Sequence, residues 1–152
     1  MPGYKGHLIG GSVAYAATLY MLSSMHPTCA MMCEWLLCAW AGALFPDIDV
    51  KSRGQNYFYK LLLVILCALL IKGSIQLFIV LSIVAFLPML VRHRGIFHQL
   101  WFVIFFPLTV VMLLSSYYPQ YGSILLFDVL FFIVGAISHL WLDIGLRKML
   151  KI

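Results

Sequence analysis

The chain has 152 residues, of which 64% are hydrophobic and only 10% are charged. A soluble domain is about 45–50% apolar, so this chain has too few polar side chains to cover a water-soluble globule, and lipid is its natural solvent. The net charge of +5 does not indicate nucleic-acid binding, because the basic residues lie at the ends of apolar segments instead of forming one stripe.

The sequence predicts an all-α, polytopic membrane bundle of about six short transmembrane helices, folded as a single domain over residues 1–152. The six apolar segments cover residues 8–25, 29–45, 57–71, 74–91, 96–114 and 124–146. Several are shorter than the roughly 20 residues of a standard membrane span. Short helices can end within the headgroup zone, where flanking lysines reach outward to water.

Lysine and arginine predict the orientation of these helices, because cytoplasmic loops of membrane proteins are enriched in them. If the N-terminus is cytoplasmic, nine of the ten basic residues fall on the cytoplasmic side and only Lys72 falls on the other. The nine are Lys5, Lys51, Arg53, Lys60, Arg92, Arg94, Arg147, Lys148 and Lys151. We therefore expect a multi-pass protein of the cytoplasmic membrane with both termini in the cytoplasm.

Seven further ionisable residues fall on the same predicted face, although the orientation rests on lysine and arginine alone. They are His7, Asp47, Asp49, His93, His98, His139 and Asp143. Residues that only solvate the surface would occur on both faces, whereas His26, Glu34 and Asp128 alone lie towards the opposite one. Imidazole and carboxylate groups are ligands for Zn²⁺, Mn²⁺ and Fe²⁺, so we predict a divalent metal centre, most simply zinc, at the cytoplasmic face.

The spacing of these residues strengthens that prediction. His139 and Asp143 are four residues apart, so they share one face of a helix. His139 should lie about 10 Å inside the helix end, where an unpaired histidine and carboxylate cost several kcal/mol unless they bind a cation. Asp47 and Asp49 are separated by one residue, so in an extended loop both can point the same way.

The ligand set indicates hydrolytic chemistry. One catalytic zinc takes about three protein ligands, so seven candidates allow more than one ion. Such centres activate water and bind phosphate oxygens, which suits hydrolysis of a phosphoester. One of Asp47, Asp49 and Asp143 would accept a proton, with Asp49 our candidate catalytic residue, and Arg94 could hold a phosphate. The expected substrate is a phospholipid or a lipid-linked phosphate.

Simpler interpretations exist for each residue and for the whole chain. A lone histidine is usually interfacial, Asp47 alone would form a turn, and Arg92 and Arg94 are topology signals first. A metal or proton transporter would usually show internal repeats, which this sequence lacks. Haem would not need the carboxylates. A non-catalytic membrane partner or regulator stays open as an alternative.

Four cysteines lie in the apolar segments, at positions Cys29, Cys33, Cys38 and Cys67. None forms a C-x-x-C pair. We expect them to be small buried hydrophobic residues, with a disulfide or a thiolate metal site as the alternative.

Three stretches carry a family resemblance. They are residues 42–49 (GALFPDID) with Ser52, residues 93–98 (HRGIFH), and residues 138–143 (SHLWLD). Together they resemble the YdjM-like family of predicted bacterial inner-membrane, metal-dependent hydrolases, and the resemblance extends from His7 to Asp143. That family looks distantly related to zinc-dependent phospholipase C and the S1/P1 nucleases, which are α-helical enzymes with several zinc ions.

The resemblance implies which residues are ligands. These are His7, Asp47, His93, His98, His139 and Asp143. Asp49 would either orient a ligand or act as a base. The secreted relatives also use their free amino-terminal residue as a ligand, whereas Met1 lies six residues before His7 in this chain.

Overall fold

The computed structural model describes residues 3–48, 53–71, 73–90 and 96–145, and these residues form six α-helices and no β-strand. The helices are α1 (Tyr4–Met21), α2 (Cys29–Leu44), α3 (Arg53–Ile71), α4 (Ile75–Leu90), α5 (Leu100–Tyr117) and α6 (Gly122–Ile144). The predicted all-α class is confirmed. Helices α1 and α3 each begin four residues before the predicted apolar segment, because their first turns are polar.

Three helical stretches of the described chain are long and apolar enough to cross a membrane. They are Cys29–Asp47, Leu100–Tyr117 and Pro119–Ile144. The apolar stretch Gln55–Ile71 is shorter. The structure therefore supports a membrane protein with three candidate spans, and the six-span bundle stays a prediction.

Small residues bring α1, α2 and α6 into close contact. A methyl group at Gly42 would collide with the carbonyl oxygen of Phe132, and one at Gly135 would collide with that of Ala39. A Cβ at Gly11 would lie 3.4 Å from the same Ala39 oxygen. Close backbone approach at small residues is how membrane helices gain packing energy without a hydrophobic driving force. These three helices form the core that carries most of the candidate site.

Aromatic side chains hold the same three helices together further from the site. Trp35 of α2 stacks on Phe131 of α6, with ring centroids 4.9 Å apart and planes 16° apart. Tyr15 of α1 packs on Phe131 with centroids 5.5 Å apart, and its hydroxyl donates to the carbonyl of Met32 at 2.9 Å. Trp35 and Phe131 are almost completely buried, so their packing fixes the relative positions of the three helices whose ends carry the site.

The remaining helices are arranged around this core. Among the described residues, helix α5 packs on α6, whereas α3 and α4 contact each other more than they contact the other helices. The bundle thus has a tight part, formed by α1, α2, α5 and α6, and a more loosely attached pair, α3 and α4.

The four cysteines are free thiols, in agreement with the absence of a disulfide motif. Three of them, Cys29, Cys33 and Cys67, are exposed on the surface of the bundle, so the prediction that they are buried was wrong. The physical reason is that a lipid-facing surface is as apolar as a core, and hydrophobicity therefore does not separate the two environments.

Candidate metal centre

Five of the predicted ligands meet at one end of the bundle. His7 lies near the start of α1, Asp47 follows the end of α2, His98 precedes α5, and His139 and Asp143 lie near the end of α6. Successive helices run in opposite directions, so these four helix ends come together. Residues that are far apart in the sequence therefore lie close together at one end of the bundle.

Four of these residues could bind a single cation. His7, Asp47, His139 and Asp143 each offer one ligand atom, and these atoms all lie within 4.8 Å of one another. The Nε2 atom of His7 is 3.5 Å from Asp143 Oδ1 and 4.0 Å from Asp47 Oδ2. The Nε2 atom of His139 is 3.5 Å from Asp143 Oδ2 and 3.6 Å from Asp47 Oδ1.

These distances fit ligand atoms around a metal better than they fit direct pairing. A charge-assisted hydrogen bond joins nitrogen and oxygen at about 2.7–2.9 Å, and every one of the four separations is longer. Metal–ligand bonds of about 2.1 Å in a tetrahedron place neighbouring ligand atoms about 3.4 Å apart. Three of the four nitrogen–oxygen separations, at 3.5–3.6 Å, are close to that value, and the fourth is 4.0 Å.

Burial makes the cluster costly without a cation. The side chains of His7, His139 and Asp143 are only 2%, 0% and 3% exposed. Within the part of the chain that the structure describes, His139 Nε2 and Asp143 Oδ1 are buried without a hydrogen-bond partner. Buried polar atoms are normally paired, and an unpaired one costs about 1–3 kcal/mol. The donor set therefore fits a divalent cation.

A backbone contact sets the tautomer of His139. Its Nδ1 atom lies 2.7 Å from the carbonyl oxygen of Ala43. Because a carbonyl oxygen can only accept, Nδ1 carries a proton, and Nε2 faces the carboxylates of Asp47 and Asp143. Metal-binding histidines typically donate their second nitrogen to a carbonyl or carboxylate in this way.

The rings of His7 and His139 are stacked, with centroids 3.8 Å apart and planes 18° apart. The Nε2 atoms of both rings face the same two carboxylates, those of Asp47 and Asp143.

Asp47 is held by a short 3-10 turn, Phe45–Asp47, that follows α2. Pro46 and Ile48, the residues before and after Asp47, are buried. The carbonyl oxygen of Ile48 accepts a hydrogen bond from Gln55 Nε2 at 2.8 Å. The Asp47 side chain itself is 35% exposed. It is the most accessible member of the four-residue cluster.

His98 adjoins the cluster through Asp47. Its Nε2 atom is 3.5 Å from Asp47 Oδ1, and its ring centroid is 5.8 Å from that of His139. The neighbouring Phe97 is buried and packs edge-on against Phe45 at 5.4 Å, which anchors the turn that carries His98. His98 is therefore placed to orient Asp47, on the outer side of the four-residue cluster.

The YdjM inner membrane protein family matches residues 1–148 of the chain. The chain belongs to this family. The match covers all five residues of the site described above and agrees with the predicted inner-membrane location. No curated protein and no solved structure matches the chain, and the likeness to phospholipase C and the S1/P1 nucleases stays a prediction.

Three predicted site residues, Asp49, His93 and Arg94, lie outside the described residues, so their assigned roles stay predictions. Sequence reasoning missed one participant, the carbonyl of Ala43. A backbone acceptor carries no signal in its side chain, and Ala43 is 96 residues from His139.

Proposed function

We propose that this chain is a membrane-embedded, metal-dependent hydrolase that cleaves a phosphoester of a lipid or lipid-linked substrate. The observation that carries the proposal is the cluster of His7, Asp47, His139 and Asp143, whose ligand atoms all lie within 4.8 Å of one another. Two imidazole nitrogens and two carboxylates suit Zn²⁺ best, with Mn²⁺ or Fe²⁺ as alternatives. A divalent cation in such a site activates water near neutral pH and polarises a phosphoryl oxygen.

The residues of the cluster divide into two roles by their burial. His7, His139 and Asp143 are buried and would hold the cation, and two histidines with one carboxylate are a common ligand set of catalytic zinc. Asp47 is more exposed, and its Oδ1 lies 3.6 Å from His139 Nε2 and 3.5 Å from His98 Nε2. Asp47 is thus placed to accept a proton from the attacking water, with His98 orienting its carboxylate. A second ion would need Asp49 and His93 in addition.

The proposed orientation places the site at the cytoplasmic face. Its support is the distribution of lysine and arginine, nine of ten on the side of the site. Reporter fusions after Ile152 and between Tyr118 and Pro119 test it. Each position receives two reporters, one that is active only in the cytoplasm and one that is active only outside it. We expect the cytoplasmic reporter to be active after Ile152 and the external reporter to be active between Tyr118 and Pro119. An external C-terminus would overturn the orientation.

The enzymatic proposal predicts chelator-sensitive turnover. Purified protein loaded with Zn²⁺ or Mn²⁺ should release phosphate or a phosphorylated headgroup from phospholipids in mixed micelles. A chelator should abolish this release, and added metal should restore it, because the buried ligands alone cannot activate water. Turnover that survives the chelator would point to a contaminating enzyme. A fully metallated protein that is inactive on every phosphoester tried would favour a structural metal site or a regulatory role.

A further inference from the structure

The bundle contains a cavity of about 240 Å³ between its tight part and the α3–α4 pair. Its walls come from five helices and are almost entirely apolar. Leu62 of α3 and Leu81 of α4 line one side, and Phe106 of α5 with Leu125 and Phe132 of α6 line the other. Cys38 and Asp128 also line the cavity, and among the described residues Asp128 Oδ1 has no hydrogen-bond partner. Nearly all of the remaining wall is apolar, so the cavity is suited to an apolar occupant.

One end of the cavity lies at the turn that carries Asp47. Phe45, the first residue of that turn, and Ile48, the residue after Asp47, both line the cavity. None of the four cluster residues is among its described lining residues, so the turn stands between the cavity and the cluster. A ligand that fills the cavity at this end would have its polar head next to that turn.

The cavity is longer than one leaflet of a bilayer, whose hydrocarbon part is about 15 Å thick. Its lining extends from Ile48 back to Cys38 of α2, and along Leu125–Phe132 of α6. Cys38 is level with the Phe132 end of that stretch, because Trp35, one turn before Cys38, stacks on Phe131. The α6 lining therefore continues about 10 Å beyond Cys38 at 1.5 Å per residue, and a single long hydrocarbon chain could follow it.

We propose that the cavity binds one acyl chain of a phospholipid whose phosphate reaches the His7, Asp47, His139 and Asp143 cluster. This inference rests on the proposed function and names its substrate class. Because a lipid tail is already in an apolar medium before it enters, the cavity contributes little hydrophobic energy. Its effect is to position the headgroup and to select the chain by length and shape. The seam between α3–α4 and the other helices gives the chain a path from the bilayer.

Photolabelling tests this directly. The probe is a phosphonate analogue of phosphatidic acid with a diazirine in the middle of one acyl chain, incorporated into nanodiscs with the full chain. The phosphonate is not hydrolysed, so labelling does not depend on turnover. We expect adducts on residues that line the cavity, such as Phe106 and Leu125. A diacylglycerol with the same photoreactive chain has no phosphate to anchor it and should label these residues much less.

Two pairs of adjacent leucines give matched controls. Leu125→Trp and Leu62→Trp place an indole in the cavity and should reduce cavity labelling severalfold. Leu126→Trp and Leu63→Trp make the same change at neighbouring positions that are 55% and 61% exposed on the outer surface, and labelling should persist. Circular dichroism and size exclusion identify any variant that fails to fold. If Leu125→Trp or Leu126→Trp fails to fold, the comparison of Leu62→Trp with Leu63→Trp supplies the same test.

The outcomes separate this inference from the proposed function. Adducts confined to outward positions, or equal labelling in both members of each pair, would overturn the acyl-chain site even if the protein hydrolyses lipids. Displacement of the probe by a polyprenyl phosphate, but not by excess phosphatidic acid, would overturn the choice of an acyl chain. Cavity labelling without hydrolysis of any lipid would keep the binding site and refute the enzyme.

Discussion

Replacing His139 with alanine is expected to remove most of the bound metal from the purified protein. Its Nε2 faces the carboxylates of Asp47 and Asp143 at 3.6 and 3.5 Å, and its other nitrogen is tied to the carbonyl of Ala43. Loss of a supporting hydrogen bond alone typically lowers metal affinity about 10–100-fold, and loss of the ligand itself should cost more. Elemental analysis of the metal-to-protein ratio measures the effect.

Two further variants make the result specific. Asp143→Ala removes the second ligand of the same helix face and should lower the metal content similarly. His26→Ala is the matched control, because His26 is exposed and follows the short turn after α1, at the opposite end of the bundle from the site. If all three variants keep their full metal content, α6 is not part of a metal centre. If all three lose metal, the binding is nonspecific or the fold is disturbed, which size exclusion would reveal.

Much of the candidate site could be predicted from the sequence, because the relevant signals are one-dimensional. The four-residue spacing of His139 and Asp143 places them on one helix face, and the bias of lysine and arginine assigns a membrane side to each segment end. Alternation of successive helices then brings His7 and Asp47 to the same end as the α6 pair. None of these steps needs the rotation of a helix about its own axis.

What could not be predicted depends on that rotation. A helix such as α5 is apolar on nearly every side, so its sequence does not indicate which face meets a neighbour. The contact of Gly42 with Phe132, the contact of Gly135 with Ala39, and the cavity beside α5 all follow from rotation and tilt. The same uncertainty hid which four of the five described candidates are mutual neighbours. Only the packed helices distinguish the buried His139 from His98 on the outer side of the cluster.

Replacing Asp47 with asparagine should leave the metal bound and nearly abolish hydrolysis. His7, His139 and Asp143 supply three buried ligands without it. Asparagine preserves the shape of the side chain, but its amide cannot accept a proton as a carboxylate does. Loss of a positioned general base typically costs on the order of 10²–10⁴ in rate. Phosphate release from phospholipid micelles, measured beside metal content on the same preparation, gives both quantities.

The metal content of Asp47→Asn separates a catalytic centre from a structural one. A structural zinc site is closed by four protein ligands, whereas a catalytic site keeps one position for water. If Asp47→Asn loses metal to the same extent as His139→Ala, Asp47 is the fourth ligand of a closed site, and hydrolysis by that ion is refuted. If the variant keeps both metal and activity, the base lies elsewhere. Asp49→Asn is then the decisive comparison, because Asp49 is the other carboxylate in this part of the sequence. A metallated but inactive Asp49→Asn protein would assign the proton transfer to Asp49.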